Sequence, residues 1–165
     1  MKKVLLIIVL AFLSFSPLLT KAQSQQASVK ITGEVTTPLT ISDAGLQKFK
    51  QTTVVRKDRD NKDHSYSGVP LSDLLQKAGV TMGTELKGEN LTKYLLVEAS
   101  DGYQVVFALP ELDKSYTDRM IILADQVDGK PLLPADGPFR IIVQDEKKPA
   151  RCIKQVTKIT IAFAK

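Results

Sequence analysis

At the end of the chain Ile159, Ile161 and Phe163 alternate with Thr160 and Ala162. A period of two suits an extended strand with one buried face. Short runs of this kind recur along the sequence, and long helical periods are missing. Val29, Ile31 and residues 33–35 predict a first strand ending near Pro38, and Leu39 to Ile41 a short second one. Asp43 is placed as the N-cap of a short helix through Ala44, Leu46 and Phe49, which Gly45 weakens. Thr52 to Val55 and His64 to Ser67 predict a hairpin with a solvated tip at Asp60-Asn61-Lys62-Asp63. Pro70 then opens the best-defined helix, with Leu71, Leu74, Leu75 and Ala78 on one face and Gly79 as its stop.

The second half continues the pattern. Leu91 to Ala99 and Tyr103 to Leu109 predict two strands joined tightly at Ser100-Asp101-Gly102, and Pro110 starts a short helical stretch. Ile121 to Ala124 predicts a buried strand, Asp128-Gly129 a hairpin turn, and residues 138–143 a strand in the sheet core. No internal repeat or low-complexity linker interrupts this. The expected class is α+β: one mixed β-sheet domain with short helices.

The N-terminus predicts a compartment. Lys2 and Lys3 precede an apolar run from Val4 to Leu19, and Thr20-Lys21-Ala22 ends in a small residue before a glutamine-rich stretch. This is the pattern of a secretory signal peptide over residues 1–22. A membrane anchor is the other reading, but the run is short for a span, Pro17 interrupts it and no basic cluster follows. The expectation is cleavage after Ala22, a single domain over residues 23–165, and a periplasmic or secreted protein without a membrane span. The net charge of +5 shrinks once the leader is set aside, because residues 1–22 hold three lysines and no acid. Acidic and basic residues are interleaved, as in Lys57 to Asp63, so nucleic acid is not an expected partner. One cysteine, Cys152, and one histidine, His64, allow neither a disulfide framework nor the usual zinc spacings.

Three segments in order carry a family resemblance: YSGVPLSDLLQKAG from Tyr66, EASDGYQVVFALPEL from Glu98, and DGPFRIIVQDEKKPARCIKQVTKITIAF from Asp136 to Phe163. Together they resemble the oxidoreductase molybdopterin-binding domain of sulfite-oxidase-like proteins. The resemblance implies a mixed α/β domain that cradles a molybdenum-pterin cofactor. It also implies a cysteine thiolate ligand to the metal in the neighbourhood of Thr53 to Lys57, since soft sulfur suits molybdenum. Here that stretch has no cysteine, and the equivalent position is Val55 or Arg56.

Candidate site residues follow from the same resemblance. Cys152 is the only thiol that could replace the missing metal ligand; the other readings are a packing residue, a redox-active thiol or an intermolecular disulfide. Arg151 and Lys154 match the closing Lys-x-x-Lys motif, whose second lysine faces the pterin, and cations there suit a phosphate. Arg140 follows the Gly-Pro turn as a further cofactor-facing cation, or as half of an ion pair with Asp136 or Asp101. Tyr103 closes the pocket beside the Asp101-Gly102 turn, and Arg119 lies in a loop at the cofactor edge. His64 reads as a solvated residue on its polar hairpin.

Two functions compete. The chain is either a non-catalytic member that binds a pterin, another small anionic ligand or a protein partner, or a molybdopterin-dependent oxidoreductase working with a redox partner. The absent early cysteine favours the first.

Overall fold

The computed structural model describes residues 27–164. The leader expected over residues 1–22 lies outside the described residues. β1 (Ser28–Gly33) pairs with β2 (Leu39–Ser42) and leads into one turn of helix, α1 (Asp43–Leu46). β1 ends earlier than the expected run to Val35, because Gly33 adopts φ +95° and a Cβ there would sit 2.0 Å from the carbonyl oxygen of Ile161. The helix cap also differs by one residue. Ser42, not Asp43, accepts the hydrogen bond from the Gly45 amide, because its backbone is still extended.

The hairpin of β3 (Thr52–Lys57) and β4 (Asp63–Pro70) forms as expected, and Pro70 ends it by opening α2 (Leu71–Lys77). Leu71, Leu74, Leu75 and Ala78 are all fully buried, as their spacing requires. β5 (Lys93–Ala99) and β6 (Gln104–Ala108) form the second hairpin around Asp101-Gly102. β7 (Ile121–Val127), β8 (Lys130–Pro131), β9 (Arg140–Val143) and β10 (Val156–Phe163) complete the chain.

These strands make two five-stranded sheets. One has the order β2-β1-β10-β5-β6, with β1 and β10 parallel; the other runs β3-β4-β7-β8, with β9 also on β7. Side-chain alternation explains the unbroken apolar runs from Ile121 to Ala124 in β7 and from Ile141 to Val143 in β9. Ile121, Leu123, Ile141 and Val143 join the main core with α2 and the first sheet, while Ile122, Ala124 and Ile142 join a smaller core with Val54, Tyr66 and Leu132. β7 is therefore buried on both faces, and it lies between β4 and β9, which pair with it on opposite sides.

Candidate functional site

A cleft of about 720 Å³ opens where β4, the residues preceding β9 and the segment before β10 converge. Its innermost polar group is Arg140, buried at the first residue of β9. The guanidinium Nη1 donates to the Tyr66 hydroxyl at 3.0 Å and to Asp136 at 3.1 Å, and lies 3.7 Å from Asp58. It also stacks 5.2 Å from the centre of the Tyr66 ring. Tyr66 in turn donates to Asp58 at 2.6 Å. Burial works against the charge on Asp58, yet the Tyr66 hydroxyl, the Arg59 amide and the Arg140 and Arg56 charges hold its carboxyl below the usual value. Burial and the Asp58 hydrogen bond push the Tyr66 hydroxyl far above its usual value, so it remains a donor.

Lys154 pairs with Asp136, so one carboxylate serves both cations. Tyr103 is half exposed at the rim and its hydroxyl donates to the Ala150 carbonyl at 3.1 Å. Asp101 accepts from the Tyr103 amide as the hairpin turn requires, and it does not pair with Arg140; Asp58 holds that place. At the other rim, His64 is clamped between two carboxylates, with Nδ1 2.6 Å from Asp128 and Nε2 3.0 Å from Asp60. This corrects the reading of His64 as freely solvated: the neighbouring β7–β8 turn supplies an acid from 64 residues away.

Cys152 also borders the cleft, but the residue is 3% exposed. Its sulfur accepts the Val143 amide at 3.5 Å, and burial pushes the thiol up, against the opposing pull of that bond and of Arg56 and Arg140. The expected neighbourhood of a metal-binding cysteine has a different occupant. Val55 points to solvent, and Arg56 is buried with Nη1 donating to the Glu146 carbonyl at 3.1 Å and toward the Val143 carbonyl at 3.5 Å.

The fold thus gathers Tyr103, Arg140, Cys152 and Lys154 around one cleft and leaves two candidates outside it. Arg151 turns away, forking onto Glu146 and reaching Glu111 at 2.9 Å while stacking over Phe107. Arg119 borders a separate, smaller hollow of about 230 Å³ and lies 3.7 Å from Glu146. Both are corrections to the expected cofactor edge, with a shared cause: Glu146, in the loop after β9, draws both guanidiniums. Sequence reasoning missed Asp58, Asp60, Tyr66 and Asp128 as site residues. The alternation of β4 could have flagged Tyr66, the one aromatic on a strand of small polar residues, but no local signal marks the aspartates.

The family described as the oxidoreductase molybdopterin binding domain matches residues 55–164. Among solved structures, the sulfane dehydrogenase SoxCD from Paracoccus pantotrophus is similar, with a TM-score of 0.63 and 22% identity. The alignment covers 83% of this chain and 38% of that one, so the chain spans well under half of its length. No curated protein matches.

Proposed function

The chain belongs to the oxidoreductase molybdopterin-binding domain family, and from that premise we propose that it is an exported, non-catalytic member whose cleft holds a small polar ligand or a partner's side chain. Its scaffold is the sulfite-oxidase-like α+β fold, and its ancestry is that of an oxidoreductase. A fold does not carry its common chemistry with it, so the cleft has to be tested against the group itself.

The donor set does not fit a thiolate-held molybdenum pterin. A metal-ligating cysteine must present its sulfur to the metal, whereas the Cys152 sulfur is buried and accepts the Val143 amide. A pterin phosphate is drawn to cations whose charge is not already matched, yet Arg140 pairs with Asp58 and Asp136, and Lys154 pairs with Asp136. Five aspartates line the cleft against Arg59, Arg140, Lys154 and His64. The expected anionic ligand is therefore replaced here by one that offers hydrogen-bond donors to carboxylates. The commitment of Arg140 Nη1 to Tyr66, Asp58 and Asp136 is the observation that carries this reading.

Two further features support it. Tyr103 supplies an exposed aromatic wall beside the polar lining, a usual arrangement for small ligands. Among the described residues no helix is long and apolar enough to cross a membrane, and the signal-like N-terminus is the basis for placing the protein outside the cytoplasm.

Molybdenum analysis and pterin fluorescence on protein exported by a host that makes the cofactor test the proposal. The expected result is molybdenum far below one equivalent, together with no thermal shift from inorganic phosphate or a pterin beyond a salt control. Small amines and polyols are expected to raise the melting temperature, and Tyr103→Ala to reduce that rise. Stoichiometric molybdenum that disappears in Cys152→Ser would restore the oxidoreductase reading and make Cys152 the metal ligand.

A further inference from the structure

The His64 clamp joins two elements at the mouth of the cleft. Asp60 belongs to the tip between β3 and β4, and Asp128 to the turn between β7 and β8; both border the cleft, as His64 itself does. The two contacts use opposite ring nitrogens. An imidazolium has two N–H donors and can satisfy both carboxylates, but a neutral imidazole has one. Without the second proton, one ring nitrogen presents a lone pair to a carboxylate oxygen, and the contact becomes repulsive.

The surroundings decide which contact fails. Asp128 has other ties to β4, since its Oδ1 accepts the Ser65 amide at 2.9 Å and its own amide donates to the Ser65 carbonyl at 2.8 Å. It also makes the shorter contact with the ring. Asp60 accepts only the Lys62 amide at 3.0 Å, from within its own turn. Nothing outside the tip holds its carboxylate except His64.

We propose that His64 is a charge-dependent latch on the cleft mouth: the protonated ring ties Asp60 to Asp128, and loss of one proton frees the Asp60 carboxylate to swing into the cleft. Three elements present charge to the ring. The tip brings Asp60, with Lys62 beside it; the β7–β8 turn brings Asp128; and β3 brings Arg56, the register partner of His64. The guanidinium of Arg56 is committed to backbone carbonyls, so the two carboxylates dominate. The hydrogen bond to Asp128, then that to Asp60, raises the histidine above its ordinary 6.5. The latch is therefore closed below that raised value and opens as the pH climbs through it. Opening adds one unit of negative charge to the mouth and so changes which ligands the cleft admits. The consequence for ligands rests on the proposed role of the cleft, while the latch itself does not.

An NMR titration of the ligand-free protein separates the two. The expected result is a His64 midpoint above 6.5, with the amides of Asp60, Asn61 and Lys62 shifting at that same midpoint and Lys62 losing hydrogen-exchange protection severalfold on the alkaline side. Asp128→Asn should lower the midpoint more than Asp60→Asn, and His64→Gln should abolish the shared transition in the tip amides while leaving the rest of the spectrum in place. Tip amides that ignore the histidine midpoint, or a midpoint at or below the ordinary value, would overturn the latch. Loss of every small-molecule thermal shift would instead overturn the cleft's ligand role and leave the titration intact.

Discussion

Arg140 concentrates the cost of building this cleft. A buried guanidinium is tolerable only while its charge is matched, and here Asp58 and Asp136 match it, with Tyr66 and the Cys152 carbonyl as further acceptors. Arg140→Met removes the cation and leaves two partly buried carboxylates facing one another. The expected loss is about 3 kcal/mol, measured by urea unfolding at neutral pH. Asp58 adds a pH dependence of known sign. Its folded carboxyl lies below the ordinary 3.8, so its contribution is complete above that value and is lost as the pH falls through the lower folded one. Asp58→Asn should therefore be less stable than the wild type near neutrality, and the gap should close in acid. A gap that stays constant down to pH 2 would show that the carboxylate charge has no role.

β4 is the element on which the site depends. It pairs with β3 on one side and β7 on the other, and its register shifts between Ser67 and Gly68. At the shift the two backbones come so close that a Cβ on Gly68 would meet the Leu123 carbonyl oxygen at 2.1 Å and the Ala124 Cα at 2.5 Å. Neither backbone atom can give way cheaply. Gly68→Ala should cost about 3 kcal/mol, at the upper end of overpacking penalties, with denaturant midpoint and near-ultraviolet circular dichroism both reporting it. A variant of unchanged stability would mean that the strand can slip at the bulge. Ahead of the shift, His64 and Tyr66 share one face of β4, with Tyr66 buried against Arg140 and His64 at the rim.

At the scale of the whole molecule, β1 and β10 lie side by side and parallel in the first sheet, so the described domain begins at one end of this strand pair and finishes at the other. A leader cut after Ala22 would leave a few residues before β1 at Ser28. Exported protein is expected to show Gln23 as its first residue by intact mass, with the same melting temperature as a cytoplasmically made form starting there. An uncut mass would replace the signal-peptide reading with an anchor. The alternation of β10, the face of α2 and the Asp101-Gly102 and Asp128-Gly129 turns were all legible along the chain, because period, helix face and turn chemistry are local properties. The ordered segments from Tyr66 onward were enough to reach the family as well. What the chain could not declare was the charge pairing. Arg140, Arg151, Lys154 and Arg119 look alike as basic residues in sequence, and only the folded molecule gives the first and third to the cleft and the other two to Glu146. His64 and Asp128 are 64 residues apart and meet only when β4 pairs with β7. Local periodicity settles elements because each residue feels its neighbours, whereas a buried charge takes its partner from whichever strand packing brings within reach, and tertiary structure alone decides that.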